Sequence, residues 1–244
     1  MNRIGAIIQA RMGSTRLPGK VLEDIGGKTM LARVVLRTKQ ARLLEEVIVA
    51  TTTAKNDDPI VDECQRLDFA VYRGEGLDVL DRYYQAAVAY KLGIIVRITS
   101  DCPLIDPIII DRIIGEFLSK GTDYASNVVK RSYPVGLDVE VMTINALEQA
   151  WREADQPFER THVTPFIYQN PSIFHLLQLS GKVDYSHYRW TVDTHEDLDF
   201  VRTIYRRFGN TDNIGWKEVI RLLGSEPELA EINRHIRQKS LLEG

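Results

Sequence analysis

Cysteine is scarce in this sequence of 244 residues, and the two that occur, Cys64 and Cys102, do not form a CxxC pair. The spacing supports neither a zinc site of paired cysteines nor a dithiol redox motif, and so little cysteine is typical of a reducing compartment. Long hydrophobic runs are also lacking. No stretch approaches the roughly 18 apolar residues of a membrane-spanning helix, and the apolar run at residues 4–8 is too short for a secretory signal peptide. We therefore expect a cytoplasmic protein with no membrane partner.

An excess of charge of either sign is absent, because 31 basic residues stand against 34 acidic residues, for a net charge of -3. This balance argues against nucleic acid as a partner and against a general attraction to membranes. Any anion site must come from a local cluster of cations. A hydrophobic content of 44% in a chain of this length is enough for one sizeable α/β domain, with room for a small helical appendage.

Short apolar runs alternate with segments of helical period along the first half of the chain. Strands are predicted at residues 4–8, 47–50, 69–72 and 94–98, and helices at residues 29–40 and 77–91 and from residues 57 and 106 onward. Asp57 is expected to cap the helix that it precedes, with Pro59 in the first turn. This alternation predicts a mostly parallel sheet with right-handed crossovers and helices on both faces.

The pattern changes after residue 121. Strands are predicted at residues 123–127, 137–142, 173–179 and 189–192, and helices at residues 145–154 and 194–208, with two more between residues 215 and 240. The first two of these strands are close together along the chain, so we expect some antiparallel pairing. Because ligands of open α/β sheets bind beyond the carboxyl ends of the strands, the loops after the first four strands are the places to look for chemistry.

A basic loop follows the first predicted strand. Residues 9–20 carry three cations, two glycines and two hydroxyl side chains. Glycines let the backbone approach a polyphosphate, free N–H groups point at its oxygens, and cations offset its charge. The loop is not a Walker A loop, because five residues separate Gly13 from Gly19 and Val21 stands where that motif has Ser or Thr. A solvated basic surface loop is the alternative.

A long motif within this loop runs Arg11-x-Gly13-Ser14-Thr15-Arg16-Leu17-Pro18-Gly19-Lys20. It resembles the nucleotide-binding loop of the sugar cytidylyltransferases, which include the CMP-KDO synthetases and the acylneuraminate cytidylyltransferases. Further segments match along nearly the whole chain, at residues 78–83, 99–107, 191–197 and 227–233. Together they make the sequence most similar to the spore coat polysaccharide biosynthesis protein F group within that superfamily.

The resemblance implies a fold and a set of partners. The expected fold class is α/β, a three-layer α/β/α nucleotide-diphospho-sugar transferase-like (Rossmann-like) architecture with a mixed, mostly parallel sheet. We place a nucleotidyltransferase domain at residues 1–208, with an acceptor and dimerisation segment at 130–180, and a C-terminal helical appendage at 209–244. CTP and a sugar acceptor are the implied partners, Mg²⁺ is the implied cofactor, and a homodimer is expected.

The residues expected to contact the nucleotide come mainly from the basic loop. They are Gln9, Ala10, Arg11, Gly13, Ser14, Thr15, Arg16, Lys20, Arg73 and Ser100. Arg11 and Lys20, together with Asp101, are expected to act in catalysis. Arg73 follows the third predicted strand, and its loop has an alternative role as the N-terminal approach to a helix.

Two aspartates are expected to hold the metal. Asp101 follows the fourth predicted strand, where a carboxylate can bind a hard cation that bridges phosphates, and the cap of the next helix is already supplied by Asp106. The resemblance carries a second metal-ligand role onto Asp193, in a Val-Asp-Thr motif. Because Mg²⁺ prefers few carboxylates together with phosphate oxygens and water, this pair suits a metal bound with a nucleotide.

Candidates for binding the acceptor lie between residues 130 and 180. Asp138 and Glu140 alternate with Val139 and therefore share one face of a predicted strand, although a solvent-facing strand is the alternative. Arg160 and His162 lie in a segment that also resembles the spore coat group, and they are candidate contacts to an acidic sugar. A lone histidine is more often structural, so that alternative also stays open.

Together these features favour a sugar nucleotidyltransferase. The predicted reaction transfers CMP from CTP to an acidic sugar and releases pyrophosphate, in the biosynthesis of a surface polysaccharide or glycan. One alternative is a metal-dependent glycosyltransferase of related α/β fold, although a diphospho-sugar needs less cationic support than a triphosphate. The other is a non-catalytic nucleotide-binding scaffold, which the loss of the basic loop or of either aspartate would favour. All of these features are present.

Overall fold

The computed structural model describes residues 3–238 and builds them around a mixed sheet. Its seven strands are β1 (Ile4–Gln9), β2 (Glu46–Thr52), β3 (Ala70–Gly74), β4 (Ile94–Thr99), β5 (Tyr124–Ser126), β6 (Glu140–Thr143) and β7 (Leu176–Gln178). Their order is β3-β2-β1-β4-β6-β5-β7. Only β6 runs against its neighbours β4 and β5 in this part of the chain; the other pairings are parallel. The predicted mixed, mostly parallel sheet is confirmed.

Helices cover both faces of the sheet. They are α1 (Met30–Thr38), α2 (Asp58–Arg66), α3 (Val79–Ala89), α4 (Pro107–Lys120), α5 (Ile144–Glu153), α6 (Pro157–His162), α7 (Pro165–Gln169), α8 (His195–Arg207), α9 (Trp216–Ser225) and α10 (Glu228–Glu231). Successive residues of β1 contribute to two different apolar clusters, Ile8 to one and Ile7 to the other. Because neighbouring strand residues point to opposite faces, the two clusters are the two helix–sheet cores of a three-layer α/β/α fold.

Short polar side chains begin several helices at the positions that the sequence predicts. The Asp106 carboxylate accepts hydrogen bonds from the backbone of Ile108 at 2.9 Å and of Ile109 at 3.3 Å at the start of α4. Thr194 and Asp197 form a reciprocal capping box at the start of α8, which satisfies backbone N–H groups that a helix leaves unpaired.

Three predictions from the sequence differ from the structure, and two helices were not predicted. Asp57 makes no side-chain capping bond, because its carboxylate is used by the loop after β1. Of the strand predicted at residues 189–192, only Arg189 pairs, in an isolated bridge with Val135. Helices α6 and α7 were not predicted; they are six and five residues long and each begins at a proline. The second helix expected between residues 215 and 240 spans only α10, and residues 239–240 lie outside the described part.

The C-terminal helices α9 and α10 pack onto the larger of the two cores. Val219 and Leu223 of α9 and Leu229 of α10 are buried in the same cluster as residues of α1, α4 and α8. The predicted domain boundary at residue 208 stays a prediction. Between residues 3 and 238, no helix has both the length and the apolar character needed to cross a bilayer.

The backbone of residues 190–191 lies close against Gly136. It has a φ of +108°, and a Cβ added there would lie 2.6 Å from the backbone nitrogen of Thr191. Gly136→Ala is therefore expected to lower the free energy of unfolding by at least about 2 kcal/mol. Urea denaturation measures this change.

Gly115 is the matched control, because it lies inside α4 and an added Cβ there meets no atom within 4 Å. Gly115→Ala is expected to raise the free energy of unfolding by about 0.5–1 kcal/mol. If both variants had the same stability, the close approach of Gly136 to the 190–191 backbone would not restrict this position.

Candidate active site

The chain changes direction across the sheet beside β1. It continues from β1 to β2 and β3 on one side, and then returns to β4 on the other side of β1. Such a switch point opens a crevice beyond the carboxyl ends of the two flanking strands. The loop after β1 and residues 100–106 after β4 meet at this crevice, and they carry the basic motif and Asp101.

Lys20 lies at the centre of the crevice. Its Nζ donates to Asp101 Oδ2 at 3.0 Å, to Asp193 Oδ1 at 2.8 Å and to the carbonyl oxygen of Val192 at 2.7 Å. Arg16 adds a second cation, 2.8 Å from Asp193 Oδ2. Three stretches that are far apart in sequence therefore converge through one ammonium group.

The charges at this centre stabilise one another. Burial opposes ionisation of Asp101, but the Lys20 ammonium and a hydrogen bond from Thr99 outweigh it and lower the pKa of Asp101 to about 2. Burial likewise disfavours the charged form of Lys20, and the two carboxylates outweigh it and raise the pKa of the ammonium. Asp101 is therefore a carboxylate and Lys20 a cation at neutral pH.

A buried ion-pair network holds Asp193 in position. Arg189 donates to Asp193 Oδ2 at 2.8 Å and clamps Asp197 with its Nε at 2.8 Å and its Nη2 at 3.0 Å. Asp197 is 0% exposed and also accepts hydrogen bonds from the backbone of Asp193 at 3.0 Å and from Asn233 Nδ2 at 2.9 Å. A fully bonded buried network of this kind fixes a unique geometry.

The loop after β1 is anchored to the protein at several points. Asp57 is 4% exposed and accepts a hydrogen bond from the backbone N–H of Met12 at 2.7 Å and another from the hydroxyl of Thr52. Gly19 turns the chain with a φ of +73°, in the left-handed region that glycine tolerates. These contacts fix the course of the loop, while Arg11, Gly13, Thr15 and Pro18 within it are exposed.

A cavity of about 400 Å³ lies over this loop. Most of the predicted nucleotide and metal residues line it, namely Gln9, Ala10, Arg11, Gly13, Ser14, Thr15, Arg16, Lys20, Ser100, Asp101 and Asp193. This volume is within the usual range of small-molecule sites, about 300–1,000 Å³.

A second cavity of about 600 Å³ adjoins the first. Six residues line both cavities: Gln9, Arg16, Thr99, Asp101, His162 and Asp193. Asp138 and Glu140 line the second cavity, while Val139 between them is buried in the core. The Lys20–Asp101–Asp193 centre therefore lies at the boundary between two compartments.

Asp138 and Glu140, which line the second cavity, are both engaged by arginines. Asp138 accepts two hydrogen bonds from Arg131, at 2.5 and 2.9 Å. Glu140 is paired with Arg97 and also accepts from the hydroxyls of Tyr124 at 2.5 Å and Thr164 at 2.6 Å. Part of the wall of this cavity is thus built from polar groups in fixed pairs, which present hydrogen-bonding surface to a ligand, and Val128, Val129 and Val135 add apolar surface.

Two predicted site residues do not line either cavity. Arg73 is bound to the carbonyl oxygens of Thr52 and Ala54 and to the carboxylate of Asp58. Arg160 is bound to Asp78 and to the carbonyl oxygen of Trp151. Both guanidinium groups join neighbouring elements to each other, because their partners belong to the adjacent loops and helices.

Arg82 is a cavity residue that was not among the predicted site residues. It lines the first cavity yet is only 2% exposed. Within residues 3–238 it has no ion pair with a carboxylate, its Nε has no hydrogen-bond partner, and its Nη1 donates to the backbone carbonyls of Glu75 and Gly76. Burial accordingly lowers the pKa of Arg82. Asp57 and Asp78 attract this cation only from beyond ion-pair distance, so the side chain suits an anionic ligand.

Asp57 and Arg189 were likewise not predicted at the site. Arg189 binds Asp193, four residues later, and Asp197, eight residues later. In the sequence, this spacing looks like that of an ordinary surface ion pair. The one available signal for Arg82 is its place in the 78–83 segment, which was among the matching motifs.

A crevice at a switch point, with a basic loop and two converging carboxylates, defines a nucleotide-binding enzyme of the α/β class. A family model for cytidylyltransferases matches residues 5–231. The spore coat polysaccharide biosynthesis protein SpsF of Bacillus subtilis is 34% identical over 237 residues, which cover 94% of this chain and 98% of that protein.

Two further likenesses are informative. A solved cytidylyltransferase structure from Leptospira borgpetersenii superimposes with a TM-score of 0.91 at 32% identity, covering 98% of this chain and 100% of that one. The 3-deoxy-manno-octulosonate cytidylyltransferase of Geobacter sulfurreducens is 41% identical over 120 residues, which cover 46% of this chain and 44% of that protein. The chain therefore belongs to the cytidylyltransferase family, and it is an enzyme of that family.

The stability of the site depends on the buried carboxylate of Asp197, which Arg189 binds twice. Asp197→Asn is expected to lower the free energy of unfolding by about 3 kcal/mol or more, because it leaves the buried Arg189 with an incomplete counter-charge. Urea denaturation at pH 7 measures the change. Glu231→Gln is the control, since its pair with Arg234 joins side chains that are 59% and 73% exposed, and it should change stability by less than about 0.5 kcal/mol. A loss below about 1 kcal/mol for Asp197→Asn would contradict the network described.

Proposed function

We propose that this protein transfers CMP from CTP to the hydroxyl group of an acidic sugar and releases pyrophosphate, as a step in the biosynthesis of a surface polysaccharide. The observation that carries the proposal is the position of the Lys20–Asp101–Asp193 centre at the boundary of two adjoining cavities. One cavity would hold the nucleotide and the other the acceptor, with the reacting groups meeting between them.

The first cavity suits a triphosphate. Arg11, Arg16 and Lys20 come from its basic loop, and Arg82 adds a cation from α3. Arg11 has no hydrogen bond or ion pair within the described residues, and Arg82 has no carboxylate partner there. These two side chains therefore bring positive charge that the protein itself does not neutralise, and a polyphosphate would neutralise it.

Asp101 and Asp193 suit a magnesium ion. One oxygen of each carboxylate lies within 3.0 Å of the same Lys20 nitrogen, so the two groups already converge on a single positive charge. A pair of carboxylates suits Mg²⁺, which takes one or two carboxylates and completes its shell with phosphate oxygens and water. Bound there, the ion would stabilise negative charge on the α-phosphate.

The second cavity suits a polar sugar. The paired side chains of Arg97 with Glu140 and of Arg131 with Asp138 line it and would bind hydroxyl and carboxylate groups of an acceptor. The acidic character of the acceptor is supported by the Geobacter relative, which is named for a sugar acid. The polysaccharide role is supported by the name of the Bacillus relative. The expected homodimer stays a prediction.

The proposed reaction needs no covalent intermediate. The acceptor hydroxyl oxygen attacks the α-phosphorus, the bond from that phosphorus to the bridging oxygen breaks, and pyrophosphate leaves as the hydroxyl proton is released. Arg16 would hold the α-phosphate at the boundary of the cavities, and Arg11 with Arg82 would hold the leaving group. Lys20, whose three N–H donors bind Asp101, Asp193 and the carbonyl oxygen of Val192, would keep the two carboxylates in place. Catalysis would come mainly from positioning and charge stabilisation.

The reaction is tested by pyrophosphate release with Mg²⁺, each of the four nucleoside triphosphates and a panel of acidic and neutral sugars. Release is expected with CTP and an acidic sugar, and Asp101→Asn or Asp193→Asn should lower the rate by about 100-fold or more. Asp199→Asn is the control, because Asp199 is exposed on α8, and it should keep the rate of the unaltered protein. Calorimetry that found no binding of any triphosphate would rule out the proposal.

Substitutions at Arg82 and Arg73 test which of these two arginines binds the nucleotide. The sequence predicts Arg73, whereas the structure places Arg82 in the first cavity. Arg82→Gln should weaken CTP binding by at least about tenfold, because a charged donor to the nucleotide is lost. It should leave the protein equally or more stable, since an uncompensated buried charge is removed. Arg73→Gln should change the Kd for CTP by less than about twofold, because Arg73 lines neither cavity. Equal effects on CTP binding would contradict this assignment.

A further inference from the structure

The segment that follows α10 reaches the second cavity. Gln238 lines that cavity, and among the described residues after Asp193 it alone does so. The rest of the wall comes from residues between Gln9 and Asp193. The C-terminal segment, which the sequence predicts to be a helical appendage, therefore contributes a side chain to the proposed acceptor site.

The position of Gln238 is fixed through the network that holds Asp193. Asn233 is 2% exposed, and its Nδ2 donates to the carbonyl oxygen of Arg189 at 2.9 Å and to Asp197 Oδ1 at 2.9 Å. Five residues further along the chain, the side-chain oxygen of Gln238 accepts a hydrogen bond from Arg189 Nη1. The segment is thus bound to Arg189 at two points, and the same guanidinium group holds Asp193.

The contact with Arg189 sets the orientation of the Gln238 amide. A guanidinium group offers only N–H donors, so it binds the amide oxygen and not the amide nitrogen. Arg189 does not line the second cavity, and the Gln238 nitrogen has no hydrogen bond to any residue from 3 to 238. The amide therefore keeps two N–H donors for a ligand. The cation on its oxygen polarises the amide and strengthens these donors.

The cations of the second cavity are already bound to carboxylates of the protein. Arg16 pairs with Asp193, Arg97 with Glu140, and Arg131 with Asp138. The carboxylate of an acceptor would meet arginines whose charge is balanced in part. It would therefore need hydrogen-bond donors that have no partner in the protein, because a carboxylate is costly to remove from water without them.

We propose that Gln238 is a specificity-determining residue, and that its amide N–H groups donate to the carboxylate of an acidic acceptor. This inference rests on the proposed function. A carboxylate only accepts hydrogen bonds, so it matches a group whose free atoms only donate. A neutral sugar presents hydroxyl groups, which donate as well as accept and gain less from such a partner. The C-terminal segment thus belongs to the acceptor site and favours acidic sugars over neutral ones.

The proposal is tested with Gln238→Glu, which keeps an oxygen for Arg189 but replaces the N–H donors with negative charge. The KM for the acidic sugar that the unaltered protein turns over fastest should rise at least about tenfold, because a donor to its carboxylate is replaced by a like charge. Pyrophosphate release at varied sugar concentration measures the KM. The Kd for CTP, from calorimetry, should stay within about twofold, and the melting temperature should not fall, since a charge-assisted pair with Arg189 is formed.

Two further variants separate recognition of the acceptor from support of Arg189. Gln65→Glu makes the same change of charge at an exposed position of α2 and should leave the KM within about twofold. Gln238→Met removes both the N–H donors and the contact with Arg189. The proposed role raises the KM in both Gln238 variants, whereas a role limited to holding Arg189 raises it in Gln238→Met alone.

The failures of the two proposals differ. A KM for Gln238→Glu within about twofold of that of the unaltered protein would overturn the role of Gln238 and leave the proposed function intact. If the unaltered protein released no pyrophosphate with any acidic sugar of the panel, the proposed transfer to an acidic sugar would fail, and the role of Gln238 with it.

Discussion

The ammonium group of Lys20 is the interaction on which the site depends. It joins the loop after β1, the end of β4 and the segment before α8 by binding Asp101, Asp193 and the carbonyl oxygen of Val192. Two of the joined segments have support of their own, since Asp57 fixes the loop after β1 and Arg189 fixes Asp193. A buried cation between two carboxylates is stable only while all three are in place, so the geometry of the crevice is determined as one unit.

The sheet supplies two different environments around this centre. Parallel strands β1 to β4 end at the switch point, and the loops that follow β1 and β4 line the first cavity. Beyond β4 the antiparallel strand β6 brings Glu140 opposite Arg97 in register, and this pair forms part of the second cavity. The reversal of one strand thus adds a second compartment beside the cavity that lies over the loop after β1.

The sequence predicts the parallel half of the fold well, because its strands are apolar runs bounded by capping residues such as Asp106. It also predicts many residues of the first cavity, since these lie in the loop after β1. It does not predict α6 and α7, because each is only five or six residues long. Arg82 was missed although it stands in a matching motif, and Arg189 was missed because local sequence does not separate an arginine of a buried network from one at the surface. Arg73 and Arg160 show the converse, since both stand in suggestive motifs and yet bind neighbouring elements.

The division of the sheet at the β4–β6 pairing has a consequence for how such an enzyme can vary. The side of the fold that carries the second cavity consists of short strands and of helices α6 and α7, and in the sheet it meets the side of the first cavity along the four paired positions of β4 and β6. Side chains that line the second cavity can therefore be exchanged there without disturbing the four long parallel strands. Under the proposed function, a change of acceptor is then a local alteration, whereas a change of nucleotide alters the loop after β1, which Lys20 joins to Asp101 and Asp193.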